Sequence, residues 1–154
     1  MPEVWQAALD SPKTDVKLIR YFEADLPDPF DGIFARLQTS EGESAASIYV
    51  RKSLDEHWRE FVAIKELMHC WSPNETWEGT AASSKQLVRA LTRRDGRYTP
   101  NVAADSGAVH AAAEVILPHK TVERHIAQGH DTAQIAFAHG LHQDIVEMIC
   151  RHDI

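Results

Sequence analysis

The strongest constraint on the fold is a change of local pattern about one third of the way along the chain. Three segments, residues 16–22, 32–39 and 45–51, are rich in β-favouring residues, and turn-forming residues separate them. The short connection over residues 40–44 predicts a hairpin between the second and third strands. From residue 53 onward the candidate elements are helical. Helices are predicted over residues 53–71, 81–94, 103–117, 118–128, 131–139 and 141–151.

This order, strands first and helices afterwards, predicts an α+β fold. We expect a small antiparallel sheet that packs against the first long helix, with the remaining helices covering it. The length of 154 residues predicts a single domain over residues 1–154. Its sheet-rich part is residues 1–52 and its helical part is residues 53–154.

The first long helix has clear signals at both ends. Ser53 and Glu56 have the spacing of a capping box, in which each side chain bonds the backbone N–H of the other. Pro73 follows Trp71 by two residues, which is typical of a helix end. The pattern therefore predicts a helix that Ser53 opens and that ends near Trp71.

Composition narrows the class of function. The net charge of −7 argues against a general nucleic-acid binder, because such proteins need a basic surface to displace counterions. No apolar run approaches the roughly 20 residues needed to cross a bilayer, so no membrane partner is expected. Two cysteines do not suggest a disulfide framework, and no basic-then-apolar leader is evident. We expect a cytoplasmic protein.

Residues 61–69, FVAIKELMH, have the pattern of a zinc-protease helix with one ligand replaced. A His-Glu-x-x-His helix presents two imidazoles four residues apart on one face, with a carboxylate that activates water. Here Glu66 and His69 are present, but the first ligand position is Lys65. An ammonium group has no lone pair to give to a metal. An isolated Glu-x-x-His is common in helices by chance, and by itself it is more typical of a buried or partner-satisfied histidine.

A second segment, residues 105–118, adds a more specific pattern: a helix of small residues that ends in an aliphatic run and a proline. In the motif helix the pattern-forming residues are Arg59, Phe61, Ala63, Glu66, Leu67 and His69. In the second segment they are Ala108, Ala112, Glu114, Val115, Ile116, Leu117 and Pro118. Together these segments resemble the ImmA/IrrE metallopeptidase family, and the resemblance covers roughly residues 30–150.

The resemblance implies roles for three side chains. Glu66 would be the general base that takes a proton from metal-bound water. His69 would be a zinc ligand, and Asp105 would be the last ligand, at a position where the family has glutamate. An active member would be a zinc-dependent endopeptidase that cleaves a regulator protein.

Lys65 departs from this family pattern. It leaves only His69 and Asp105 as ligands, whereas a catalytic zinc normally has three protein ligands. The ammonium could instead pair with Glu66 or Asp105, because a lone buried ammonium is costly. Because Lys65 replaces the first ligand, the resemblance implies a protein with the family's scaffold and with impaired or lost zinc catalysis. It would act through a protein partner in bacterial, phage or mobile-element regulation, and zinc would be its cofactor only if the site still held metal.

Two other metal interpretations are weaker. His110 lies five residues from Asp105, about 140° around the same helix, so it is poorly placed to replace the lost ligand. Six of the nine histidines follow Pro118, and a pair such as His139 and His142 could in principle bind a metal. Short amphipathic helices that present these histidines in different directions explain them more simply.

The last alternative is a DNA-binding regulator. Residues 132–146 have the spacing of apolar residues that is typical of a helix-turn-helix, with Gly140 at the turn. A DNA-reading helix needs basic residues. From residue 141 onward the only fixed cation is Arg151, which favours two helices that complete the domain over a DNA-binding pair.

Overall fold

The structure is a computed structural model that describes residues 2–72 and 100–151. The helix predicted over residues 81–94, and the connections on either side of it, lie outside the described residues. The strands are β1 (Val16–Ala24), β2 (Gly32–Gln38) and β3 (Ser44–Arg51). The helices are α1 (Pro2–Asp10), α2 (Glu56–Met68), α3 (Pro100–Ile116), α4 (His119–Ala127), α5 (Thr132–His139) and α6 (Gln143–Arg151). A 3-10 turn, His69–Trp71, follows α2. The α+β class predicted from the sequence is confirmed.

The sheet has the strand order β1-β3-β2 and is mixed. The predicted hairpin is confirmed, because β2 pairs antiparallel with β3 and places Phe34 opposite Ile48. The prediction of a fully antiparallel sheet is wrong, because β1 pairs parallel with β3 and places Tyr21 opposite the same residue. Local alternation fixes which face a side chain takes, but it carries no information about strand order or direction. The most apolar strand, β3, takes the centre, and the charged strand β1 takes an edge.

The core lies between the sheet and α2, and it continues between α2 and α3. On β3 the side chains of Ala46, Ile48 and Val50 are fully buried. They belong to one cluster with the buried apolar residues of α2, including Phe61 and Leu67. Helix α2 contacts β2, β3 and α3, so it is the central helix of the described part. The buried side chains of α2 therefore lie between the sheet and α3.

The N-cap of α2 lies two residues later than the capping box predicted. The carboxylate of Asp55 accepts a hydrogen bond from the backbone N–H of Trp58 at 3.0 Å, so Asp55 is the N-cap. Ser53 instead lies in a turn after β3, where Leu54 N–H donates to the carbonyl of Arg51. Aspartate and serine are similarly good N-caps, and the tertiary position of β3 decides between them.

The C-terminal helices follow the sequence prediction closely. Helix α5 opens with a capping box between Asp131 and Gln134 and ends at Gly140, whose φ of 62° is left-handed. Helix α6 buries Ile145, Val146, Met148 and Ile149. Within residues 2–72 and 100–151, no helix combines the length and the hydropathy that a membrane span requires.

Candidate functional site

Helices α2 and α3 bring four polar side chains into one buried group, here called the lysine cluster: Lys65, Glu66, His69 and Asp105. Lys65 Nζ lies 2.9 Å from Glu66 Oε1 and 2.8 Å from Asp105 Oδ1. His69 Nε2 lies 3.1 Å from that same Asp105 oxygen and 3.9 Å from Glu66 Oε2. The structure therefore brings together all four residues that the sequence singled out, although Asp105 is 36 positions from His69.

The lysine cluster is nearly closed to solvent. The exposed fractions of Lys65, Glu66 and Asp105 are 5%, 3% and 7%. The side chain of His69 is 18% exposed, so it forms the outer edge of the cluster. A charged group at this depth needs a partner of opposite sign, because its desolvation is expensive.

The ammonium group of Lys65 satisfies that requirement for both carboxylates. Burial by itself would lower the pKa of Lys65, but the negative charges of Glu66 and Asp105, and hydrogen bonds to both, raise this pKa above its ordinary value. Lys65 is therefore charged at neutral pH. The centre of the cluster is an ion triad in which one cation donates to two carboxylates.

The residues present do not fit a catalytic zinc ion. His69 and Asp105 offer two ligands, and the Asp105 oxygen that faces His69 already accepts a hydrogen bond from Lys65. Within the described part of the chain, no group of three or more His, Cys, Asp or Glu side chains has an arrangement that could hold a metal ion. A catalytic zinc needs three ligands and an open position. Lys65 instead occupies the space between the two carboxylates with its own positive charge.

Two residues of β2 shape the cluster, and the sequence analysis did not identify them. A Cβ atom added at Gly32 would lie 2.6 Å from Glu66 Oε1 and 2.6 Å from Val62 Cγ1, so only glycine lets α2 approach the sheet this closely. The ring of Phe34 lies 5.8 Å from the ring of His69, centroid to centroid. The sequence does not show that a glycine at the start of a strand is needed for close packing, because this depends on which helix crosses the strand in the folded chain.

The other candidates lie apart from this arrangement. His110 Nδ1 lies 2.8 Å from the backbone carbonyl oxygen of Ser106, one turn earlier on α3. The ring of His142 lies tilted beside that of Trp58, with ring centroids 5.2 Å apart, whereas His139 contacts His125. The pair that the sequence offered as the alternative metal site is therefore not brought together.

Cys70 follows His69 but offers no thiolate. Its side chain is 2% exposed, and burial raises the pKa of the thiol to about 11. On α6, the cation of Arg151 lies 4.0 Å from Glu147 on the preceding turn. Neither residue adds chemistry to the lysine cluster.

The lysine cluster thus combines a buried cation, two carboxylates and an imidazole at its rim. It contains no thiolate, and one oxygen of Glu66 already accepts a hydrogen bond from Lys65. Comparison with models of protein families, with curated proteins and with solved structures finds no match for this chain.

Proposed function

We propose that this chain is a non-catalytic relative of the ImmA/IrrE peptidases, in which the ammonium group of Lys65 replaces the zinc ion. The scaffold then acts by binding a protein partner rather than by cleaving it. The context we propose is bacterial, phage or mobile-element regulation in the cytoplasm, and it rests on the resemblance of the two sequence segments.

A single observation carries this proposal: Lys65 Nζ lies between Glu66 and Asp105, at 2.9 Å and 2.8 Å. In the resembled family these two carboxylates would serve a metal-bound water and the metal itself. Here the same two carboxylates neutralise a side-chain cation. A proton-abstracting role for Glu66 needs a free carboxylate beside an activated water, and the ammonium group competes for that carboxylate.

The shape around the cluster supports a partner-binding role. Strand β2 is an edge strand among the described strands, and its residues Gly32 and Phe34 lie against Glu66 and His69. An edge strand offers unpaired backbone groups that an extended segment of another protein can use. The partly exposed rim formed by Phe34 and His69 would then contact side chains of that segment.

The test compares wild type with Lys65→His, both purified without chelator. We expect wild type to hold no zinc that depends on Asp105, whereas Lys65→His, which places an imidazole at position 65, binds about one additional zinc per chain. Bound zinc should raise the thermal midpoint, since a ligand at 100 times its Kd stabilises by about 2.7 kcal/mol.

Two controls make this result specific. Lys65→Gln removes the ammonium group but offers no imidazole, so it should gain no zinc. Adding Asp105→Asn to Lys65→His should lower the zinc affinity, because it removes the carboxylate ligand. One tightly held zinc that Asp105→Asn removes from the wild-type protein would overturn the proposal and favour an active endopeptidase. A Lys65→His protein that folds and gains no zinc would show that these side chains do not form the family's ligand geometry.

A further inference from the structure

A second group of side chains, outside the lysine cluster, has its own arrangement. His125 at the end of α4, His130 in the α4–α5 connection and His139 at the end of α5 form a chain of imidazoles, here called the histidine chain. His125 Nδ1 lies 2.9 Å from His130 Nδ1, and His125 Nε2 lies 2.9 Å from His139 Nε2. His130 and His139 are exposed and His125 is half-buried.

The backbone at the end of α4 explains why His125 and His130 meet. Gly129 has a φ of 84°, and its N–H donates to the carbonyl of Ile126 at 2.9 Å. The N–H of His130 donates to the carbonyl of His125 at 3.1 Å. These two bonds define a Schellman motif, which places the side chains at the first and last of its six residues side by side. That contact is usually apolar, but here two imidazoles make it.

We propose that His125 and His130 bind one divalent ion of a late first-row transition metal, such as Zn²⁺, Ni²⁺ or Cu²⁺, through their Nδ1 atoms. Imidazole nitrogen suits these metals, whereas Mg²⁺ and Ca²⁺ prefer oxygen. The helix cap holds both nitrogens close before the ion arrives. An ion about 2.0–2.1 Å from each nitrogen would lie beside the line that joins them, once each ring turns by about 45° so that its lone pair points at the ion and not at the other ring. Water would complete its coordination.

His139 acts on the other ring nitrogen of His125. A metal-bound histidine usually donates its remaining N–H to a partner, which fixes the tautomer and the ring orientation. With hydrogen on His125 Nε2, that N–H donates to His139 Nε2. On binding, the ring that carries hydrogen at its Nδ1 moves it through solvent to its Nε2, so both Nδ1 lone pairs face the ion. Since His125 directs different nitrogens at its two neighbours, His139 is a positioning residue and not a third ligand.

The site can be tested by calorimetric titration of the full chain with Ni²⁺ at pH 7.5. Mg²⁺ serves as the control ion that should not bind. We expect one Ni²⁺ per chain and no Mg²⁺ binding. His125→Ala and His130→Ala should each weaken Ni²⁺ binding by at least about tenfold, and His139→Ala should weaken it less. His119→Ala is the matched control, because it removes an imidazole from the other end of α4.

The Cu²⁺ complex gives an independent readout of the ligands. Its electron paramagnetic resonance spectrum should show two imidazole nitrogens in wild type and one in His130→Ala, while circular dichroism shows that both proteins are folded. Equal Ni²⁺ affinity in wild type, His125→Ala and His130→Ala would overturn the proposal. So would loss of binding in His69→Ala with retention in His125→Ala, because that result would place the ion at the lysine cluster.

Discussion

The lysine cluster and the histidine chain both contain side chains that can bind metals. They differ in whether a cation of the protein itself lies among those side chains. In the lysine cluster, an imidazole and two carboxylates surround an ammonium group, and three of the four residues are almost fully buried. In the histidine chain, three imidazoles contact one another through their ring nitrogens, at or near the surface. Ligand-type residues are therefore not sufficient for a metal site. A ligand is available only where no internal cation already neutralises it.

The two groups also differ in what holds them together. The lysine cluster depends on tertiary packing, since α2 and α3 must approach each other and β2 must lie underneath. The contact between His125 and His130 depends only on the C-terminal end of α4, where the capping hydrogen bonds span six consecutive residues, 125–130. We therefore expect changes in the lysine cluster to affect global stability and changes in the histidine chain to affect it little.

The largest expected effect is that of Lys65→Met. Removing the ammonium group leaves Glu66 and Asp105 buried without a cation, which should cost about 3–5 kcal/mol of the free energy of unfolding. Lys52→Met is the matched control, because Lys52 pairs with Asp25 in an exposed ion pair, which is worth at most about 1 kcal/mol. His125→Ala should change the free energy of unfolding far less than Lys65→Met, because His125 lies near the surface. Urea unfolding measures all three, and a loss below about 1 kcal/mol for Lys65→Met would contradict the ion triad.

A smaller effect is expected for Gly32→Ala. The new methyl group would meet Glu66 and Val62 at 2.6 Å, so either the helix or the carboxylate must move, at a cost of about 1–3 kcal/mol. Gly107→Ala is the matched control, because no atom lies within 4 Å of a Cβ at that exposed position of α3. There alanine should stabilise the helix by about 0.5–1 kcal/mol. Thermal or urea unfolding separates the two, and equal effects would show that β2 does not constrain Glu66.

The smallest effects are in the pH dependence, and the two groups should act at opposite ends of the scale. The pKa of Lys65 is raised above 10.5, so its stabilising contribution is complete below pH 10.5 and is lost as pH rises through the raised pKa. The pKa of His125 is lowered below 6.5 by partial desolvation and by the positive charges of His139, His130 and Arg124. His125 is therefore harder to protonate in the folded chain than in the unfolded chain, and the free energy of unfolding falls as pH drops below 6.5.

Urea unfolding at a series of pH values, in chelator-containing buffer, measures both effects. The difference in free energy between wild type and Lys65→Met should be constant from about pH 7 to 10 and should shrink above pH 10.5. Wild type should lose stability relative to His125→Ala between pH 7 and pH 5. A difference that does not change with pH at either end would show that the group concerned titrates alike in the folded and unfolded chains.

Much of the fold could be predicted because its signals are local. Hydrophobic alternation located the three strands within two residues, and the prolines and glycines located the C-terminal helices with similar accuracy. The start of α2 was misplaced because Ser53 and Asp55 are both good N-caps, and only the end of β3 decides between them. The direction of β1 was wrong for a related reason, since strand pairing is set by contacts distant in sequence.

The sequence by itself determined which residues are candidates for a site here: a lysine, a glutamate and a histidine on or next to α2, and an aspartate on a later helix. Only the tertiary structure decided that these four meet, that the ammonium group lies between the carboxylates, and that Gly32 makes room for them. Only the structure, likewise, paired His125 with His130 and His139. The physical reason is that residue type and helical spacing are local properties, whereas burial, charge neutralisation and ligand geometry depend on segments that only folding brings together.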